Sequence, residues 1–210
     1  MLRIYEVLHG HFGPQHWWPG EDPFEVIVGA ILAQNTSWKN VERAIASLKK
    51  AGVLSPEGIG ALPFEKLAEL IRASGTYRVK ADRLLRFVSF LKGNYGLNLR
   101  AMFALPLPRV RRELLTVRGI GPETADSILL YAGGRPVFVV DAYTRRIFSR
   151  HGFIGEGCSY DELQSLFMKA LSPDARLFNE YHALIVRLGK SRCRARPMCE
   201  GCVLKSVEQL

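Results

Sequence analysis

Two glycines and one aspartate stand out in this chain, because their spacing could bring a phosphate-binding turn near a reactive carboxylate. Apolar residues at helical spacing flank the Gly119-Ile120-Gly121 turn, and Pro122 suits the first position of a second helix. Glycine readily adopts a positive φ, so we expect Gly119 and Gly121 to present their N–H groups to an anion. Asp141 follows an apolar run twenty residues after Gly121. This spacing suggests chemistry on a nucleic acid.

The charge of the chain indicates a polyanionic partner. Twenty-nine Lys and Arg against twenty Asp and Glu leave a net charge of +9. The basic residues are dispersed rather than massed on one amphipathic helix, which favours a nucleic acid over a membrane surface. No apolar segment approaches the ~20 residues of a membrane span, and the N-terminus lacks the features of a signal peptide. We therefore expect a cytoplasmic protein, in the prokaryotic cytosol or nucleoid, with no membrane partner.

The apolar periodicity predicts an all-α fold, because apolar residues recur mainly at three and four positions. Phe24 to Leu32 is almost wholly apolar and is predicted to form a central buried helix. The apolar positions of two further amphipathic helices are Ala81, Leu84, Leu85, Val88 and Leu91, and Leu163, Leu166, Phe167 and Ala170. The run Val137 to Val140 is short and has no evident partner strand. We interpret it as an extended lead-in to a helix that Asp141 caps.

The sequence VRGIG at Val117 to Gly121, followed by VVD at Val139 to Asp141, resembles the helix-hairpin-helix DNA glycosylases, the superfamily of endonuclease III. The resemblance extends through ILAQNTSWKNVERAI from Ile31 and YHALIVRLGKSRC from Tyr181, and so covers most of the chain. It implies two helical lobes with a DNA-binding cleft between them. The implied lobes are 22–134, with the helix-hairpin-helix at about 109–133, and 1–21 plus 135–210, with the catalytic Asp and the Cys tail.

The resemblance implies that Asp141 is the catalytic carboxylate, which stabilises positive charge on the sugar and orients or deprotonates water. Aspartate also commonly caps helices, so capping alone is the other interpretation. In bifunctional members a lysine after the hairpin forms a Schiff base with the sugar, whereas this chain has Glu123. The change predicts a monofunctional glycosylase that uses water and lacks AP-lyase activity. Glu123 either has a catalytic role in the pocket or only stabilises a helix N-terminus.

All three tryptophans are candidates for a base pocket: Trp17, Trp18 and Trp38. An excised base must be flipped out of the duplex and held, and indole rings supply stacking surfaces. An alkylated purine such as 3-methyladenine is cationic, so an indole face adds a cation–π attraction of about 0.5–2 kcal/mol. The HWWPG segment, Glu123 and the chain length together resemble the 3-methyladenine DNA glycosylase III subfamily. The alternative is that the tryptophans are core residues.

Several polar residues are predicted to contact DNA. Gln34, and Asn35 beside it, occupy the family position from which a side chain enters the gap left by the flipped nucleotide, although adjacent amides can also cap a helix end. Basic and aromatic groups further along the chain could contact phosphates or be ordinary surface groups. The predicted DNA-binding residues are Gln34, Asn35, Arg118, Gly119, Gly121, Thr124, Tyr143, Arg145 and Lys190. His182 repeats a family position and is expected to be structural.

The C-terminal cysteines form an incomplete metal motif. Endonuclease III relatives bind a [4Fe–4S] cluster through four cysteines, with six, two and five residues between them. Here five residues separate Cys193 from Cys199 and two separate Cys199 from Cys202, but Glu208 stands where the fourth cysteine belongs. The tail is either a cluster site with an unusual fourth ligand or a remnant that packs without iron. The missing ligand favours the remnant, and we expect catalysis to require no cofactor.

The sequence as a whole favours a monomeric, monofunctional base-excision glycosylase that acts on alkylated purines in double-stranded DNA. One alternative is an endonuclease III-like enzyme for oxidised or mismatched bases. Another is a non-enzymatic helix-hairpin-helix DNA-binding module, which would account for the charge and the glycines but would leave Asp141 unexplained.

Overall fold

The computed structural model describes residues 1–17, 20, 22–155, 157–205 and 207. Every regular element in these residues is helical, so the predicted all-α fold is confirmed. The helices are α1 (Leu2–Phe12), α2 (Pro23–Leu32), α3 (Trp38–Lys50), α4 (Pro56–Ala61), α5 (Phe64–Leu70), α6 (Tyr77–Tyr95), α7 (Leu99–Ala104), α8 (Leu107–Leu115), α9 (Pro122–Ser127), α10 (Ala142–Arg150), α11 (Tyr160–Ala170) and α12 (Ala175–Ser191). A 3₁₀ turn at Arg72–Ser74 precedes α6, and a π turn at Ile128–Ala132 follows α9. Within the described ranges, no helix is long and apolar enough to span a bilayer.

The chain divides into two compact units. The continuous unit is Pro19–Gly133, and the discontinuous unit combines Met1–Trp18 with Gly134–Leu210. The lobe boundaries expected from the sequence stay a prediction.

Helix α2 forms the centre of the continuous unit. Its start is fixed by Asp22, whose Oδ1 accepts hydrogen bonds from the N–H groups of Phe24 (2.7 Å) and Glu25 (3.0 Å), and Pro23 occupies the first turn. Every residue from Phe24 to Leu32 is buried, as predicted for this segment. The helix packs against α3, α6, α9 and the π turn, so its apolar residues have neighbours on all sides.

Helix α6 follows a tight turn in which Thr76 has φ of +30°, and it ends at Gly96 with φ of +57°. Four of its five predicted apolar positions are buried, and Leu85 is half-buried. The first turns also bury Lys80, whose Nζ donates a hydrogen bond to the Ser74 carbonyl. Burial and the nearby Arg83 lower the pKa of Lys80 to about 8.

Helices α8 and α9 form the hairpin that carries the two glycines. Val117 and Ile120 turn into the core and are 6% and 4% exposed. A bidentate ion pair joins the two helices: Arg111 Nε lies 2.8 Å from Asp126 Oδ1, and Arg111 NH2 lies 3.1 Å from Oδ2. The Asp126 side chain is fully buried, so this pair fixes one helix of the hairpin against the other.

The discontinuous unit has an aromatic core. Phe138 stacks on Phe167 with ring centroids 3.8 Å apart, and Tyr181 meets both rings edge-on. Helix α12 packs against α1 and α10 around this cluster. The prediction for α11 was right for two positions, because Leu163 and Phe167 are buried. It was wrong for Leu166 and Ala170, which lie on the solvent face of α11.

The apolar run Val137 to Val140 is extended but pairs with no strand in the described residues, as predicted. Side chains of α11 satisfy its backbone instead. Gln164 Nε2 donates to the Phe138 carbonyl (2.6 Å), and the Val140 N–H donates to the Tyr160 hydroxyl (3.4 Å). The buried segment thus holds the start of α10 at a defined position in this unit.

Candidate active site and nucleic-acid interface

Asp141 caps α10, which confirms the predicted cap. Its Oδ1 accepts hydrogen bonds from the Thr144 N–H (2.7 Å) and the Thr144 hydroxyl (2.9 Å). Its Oδ2 lies 3.6 Å from Nε2 of His182, a buried residue of α12. The two carboxylate oxygens therefore differ in environment: one is held by the helix start, and the other faces an imidazole.

The environment of Asp141 keeps its carboxyl group ionised. Burial alone would raise the pKa of Asp141, but the charge of His182, together with the hydrogen bonds from Thr144, outweighs burial and holds the pKa below its usual range. The Asp141 side chain is only 12% exposed. A desolvated, ionised carboxylate at a fixed position is able to stabilise a cation or orient a water molecule.

The residues that follow Asp141 on α10 are held by α12 and the segments around it. The Tyr143 ring packs against Gly189, where a Cβ would clash with the ring, and the guanidinium of Arg146 lies 5.0 Å from the ring centroid. Arg145 donates a hydrogen bond to the Cys158 carbonyl. Tyr143 and Arg145 thus already have intramolecular contacts, and their predicted phosphate contacts stay predictions.

Trp17 lies in the discontinuous unit, on a segment tied to α12. The Gln15 N–H donates to Glu180 Oε1 (2.6 Å), and Lys190 Nζ lies 5.7 Å from the Trp17 ring centroid. Trp17 is half-buried, and Lys190 is exposed. Lys190 is eight residues after His182 on α12, about 12 Å along the helix at 1.5 Å per residue. One face of the Trp17 indole therefore already has a cationic neighbour.

The other candidates for the base pocket give less information. Trp38 is half-buried at the first position of α3, in the continuous unit. Trp18 lies outside the described residues. Glu123 is exposed in the first turn of α9. The pocket role of all three residues stays a prediction.

The hairpin turn of the continuous unit only partly matches the expected conformation. Gly119 adopts φ of +95°, as expected, whereas Gly121 is extended, with φ of −91°. A Cβ on Gly121 would meet no protein atom within 4 Å, so packing does not explain this glycine. Within the described part of the chain, the N–H groups of Gly119 and Gly121 donate to no backbone acceptor. Arg118 is exposed beside them.

Gln34 does not cap the end of α2, one of its two predicted roles, because its amide points to the hairpin. Nε2 donates to the Gly119 carbonyl (3.2 Å) and to the Thr124 hydroxyl (2.8 Å), while Oε1 accepts a hydrogen bond from Arg83. Asn35 is exposed and has φ of +53°. The wedge role of these two amides stays a prediction, and it would require Gln34 to exchange these hydrogen bonds for DNA contacts.

Two residues contact candidate residues in ways that the sequence did not predict. Arg83 contacts Gln34 and Gly119, and His182 lies beside Asp141. A Cβ on Gly119 would lie 2.6 Å from Arg83 Cγ, so this glycine allows the arginine to cross the hairpin closely. Nothing in the sequence singled out Arg83, because it is one of several basic residues on α6. His182 did carry one, since it is part of the YHALIVRLGKSRC segment, but sequence spacing did not show its contact with Asp141.

The cysteine tail does not fit a four-thiolate cluster. Cys193 is buried and its Sγ accepts a hydrogen bond from Arg150 (3.4 Å), whereas Cys199 is exposed and Cys202 is half-buried. The three thiols border a cavity of about 270 Å³ together with His151. The described residues contain no group of three or more His, Cys, Asp or Glu side chains placed to hold a metal ion. Glu208 lies outside the described residues, and the expected absence of iron stays a prediction.

Comparison with known proteins identifies the family. The model for HhH-GPD superfamily base excision DNA repair proteins matches residues 28–173. A provisionally named DNA repair glycosylase of Methanocaldococcus jannaschii is 49% identical over 207 residues, which cover 98% of this chain and 94% of that protein. The structure of H. pylori 3-methyladenine DNA glycosylase bound to 1,N6-ethenoadenine has a TM-score of 0.76 and 30% identity, covering 90% of this chain and 96% of that one.

A trapped covalent endonuclease III–DNA intermediate has a TM-score of 0.81 and 25% identity, covering 96% of this chain and 91% of that one. The expected resemblance to endonuclease III-like DNA glycosylases is therefore confirmed. The chain belongs to the HhH-GPD superfamily of base excision DNA repair proteins, whose substrate is DNA.

Proposed function

We propose that this protein is a monofunctional DNA glycosylase that hydrolyses the N-glycosidic bond of alkylated purines of the 3-methyladenine type. The observation that carries the proposal is the environment of Asp141: an ionised carboxylate only 12% exposed, with one oxygen fixed by Thr144 and the other facing His182. This group stabilises the positive charge that develops on the sugar as the bond breaks.

The reaction needs a carboxylate but no acid. When the bond between the sugar and a cationic N3-alkylated adenine breaks, the electron pair leaves with the base and neutralises it. Water then adds to the anomeric carbon and loses a proton to Asp141 or to solvent, which yields free base and an abasic site. The Thr144 hydrogen bonds leave Oδ2 as the oxygen that can accept this proton.

Glu123 supports the monofunctional assignment. A carboxylate cannot form a Schiff base with the sugar, so the residue at this position cannot act as the lyase nucleophile. Water is then the nucleophile, and the abasic product keeps its phosphodiester backbone until alkali breaks it.

The preference for alkylated purines rests on two supports. The 30% identity to H. pylori 3-methyladenine DNA glycosylase covers 90% of this chain. Trp17 and Trp38 are half-buried aromatic side chains, and an indole ring attracts a cationic base. Lys190 lies near the ring of Trp17, so a cationic base that stacks there must displace the lysine.

An enzyme for oxidised or mismatched bases is the alternative within the family, since endonuclease III structures also match this chain. A panel of duplexes, each with one lesion, separates the alternatives when product is assayed with and without alkali. Preferential release of 3-methyladenine, with strand breaks only after alkali, is the expected result. A preference for thymine glycol or mismatched adenine would contradict the proposed substrate, and no excision of any lesion would leave only a DNA-binding role.

A further inference from the structure

A basic groove runs along α6 in the continuous unit and reaches the hairpin. This arginine groove has a volume of about 530 Å³. Its lining consists of the apolar residues Phe64 and Val79, the charged residues Arg78, Asp82, Arg83, Arg86 and Arg118, and Gly119 of the hairpin. Four arginines against one aspartate leave it positively charged, and it remains so when Glu65, the ion-pair partner of Arg78, is included.

The existing ion pairs do not prevent an anion from binding. Arg78 forms a bidentate pair with Glu65 (2.7 and 2.6 Å), and Arg86 pairs with Asp82 (2.7 Å). All four side chains are 43–69% exposed. Solvent screens exposed ion pairs of this kind and they contribute little to stability, so a phosphate is able to compete for both arginines.

The spacing of the arginines suits an extended polyanion. Arg78 and Arg86 are eight residues apart on α6, about 12 Å at 1.5 Å per residue. One DNA strand carries a phosphate for about every 3.4 Å of helix axis, so the two arginines span roughly three phosphates. At the hairpin end, the Arg83 stem crosses Gly119, which makes the groove continuous with the turn whose N–H groups are candidates for a phosphate contact.

We propose that the arginine groove binds DNA phosphates beyond those held by the hairpin. The inference rests on the proposed function only in taking DNA as the anion, and it does not depend on which base is excised. An acidic protein surface is the other occupant that this charge would suit, and unchanged DNA binding by the arginine variants would favour it.

The experiment measures how DNA affinity varies with salt for the full chain and a duplex that carries a stable abasic-site analogue. Each phosphate contact contributes about 0.9 to the slope of log K against log salt, or roughly fivefold in affinity at about 0.15 M salt. We expect Arg78→Ala and Arg86→Ala each to weaken binding by about fivefold, and the double variant by about thirtyfold with a slope shallower by about 1.8. The matched control is Arg72→Ala, because Arg72 is also exposed and paired, with Glu69 at 3.5 Å, but lies outside the groove.

A second double variant tests the charge of the groove while keeping both arginines. Glu65→Gln with Asp82→Asn removes the two carboxylates that pair with Arg78 and Arg86. We expect it to bind DNA more tightly and with a steeper salt slope, because the arginines lose their competing partners. The groove is not a DNA site if the double alanine variant binds DNA as well as Arg72→Ala does. The same follows if the Glu65→Gln, Asp82→Asn variant binds DNA no better than the wild type.

The excision assay distinguishes failure of this inference from failure of the proposed function. At limiting protein, the double alanine variant is expected to excise more slowly in proportion to its weaker binding, since the groove contributes to binding. A wild-type protein that excises nothing yet shows the expected salt slopes would overturn the glycosylase assignment and support the groove. Normal excision with unchanged slopes in the double variant would overturn the groove alone.

Discussion

Replacing Asp141 should separate its catalytic role from its structural role, because Asn keeps the helix cap and Ala does not. In Asp141→Asn, the amide oxygen can still accept the hydrogen bond from the Thr144 N–H, which is 2.7 Å from Oδ1 in the wild type. Asn and Asp are about equally good helix N-caps, so we expect the cap itself to account for less than about 0.5 kcal/mol of any change in the unfolding free energy. The negative charge is lost, and a general base contributes about 10²–10⁴-fold to a rate.

In Asp141→Ala, both hydrogen bonds to Thr144 are lost as well. Loss of an N-cap costs about 0.5–2 kcal/mol, and for a chain of this size each kcal/mol lowers Tm by about 2–4 °C. We therefore expect the Asn and Ala variants to have the same low excision rate, while the Ala variant melts at a lower temperature than the Asn variant.

The assay is single-turnover release of 3-methyladenine from methylated duplex DNA, alongside thermal unfolding. The matched control is Asp174→Ala, because Asp174 caps α12 of the same unit through hydrogen bonds from Arg176 (2.7 Å) and Leu177 (3.3 Å). This control should lose similar stability and keep its excision rate. An Asp141→Asn variant that retains more than about a tenth of the wild-type rate would refute the catalytic role, since that loss is below what a general base contributes.

Three further predictions concern the base, the nucleophile and pH. Trp17→Leu should lower excision of 3-methyladenine about 2- to 30-fold more than excision of neutral 1,N6-ethenoadenine. This range corresponds to a cation–π attraction of about 0.5–2 kcal/mol, and equal losses for both bases would assign Trp17 to packing. Borohydride should trap no covalent protein–DNA adduct, because Glu123 replaces the Schiff-base lysine, and efficient trapping would contradict the monofunctional assignment. The excision rate should be flat from about pH 8 to pH 5, because the lowered pKa keeps Asp141 ionised. The stability that Asp141 contributes is present above its ordinary pKa of 3.8 and is lost only as pH falls through the lower folded-state pKa. A fall in the excision rate near neutral pH would therefore show that another group controls the rate.

Patterns that depend on burial were readable from the sequence. The uniformly apolar α2 and the capped start of α10 both follow from local chemistry, because solvent exclusion and helix capping leave a direct signal in residue types. Leu166 shows the limit of this reasoning. It has the spacing of a core residue, but the apolar face of α11 is narrower than its apolar composition suggests.

Contacts between distant segments were not readable from spacing. The Gln34 amide could have had several partners, and only the fold shows that it meets Gly119 and Arg83. The contact between His182 and Asp141 likewise joins residues 41 positions apart. Gly121 shows a third limit, because an extended glycine is not distinguished by sequence from one with positive φ.

The ion pair between Arg111 and the fully buried Asp126 constrains how the hairpin can change during evolution. Replacing Arg111 alone removes this partner of a buried charge at a cost of about 3–5 kcal/mol, whereas exchanging both residues for well-packed apolar ones is often neutral. That cost is a large share of the stability of an ordinary domain, while Arg111 is 22% exposed and keeps access to water when Asp126 is replaced. Divergent homologues should therefore change these two positions jointly, and the pair should covary even where neither residue contacts DNA.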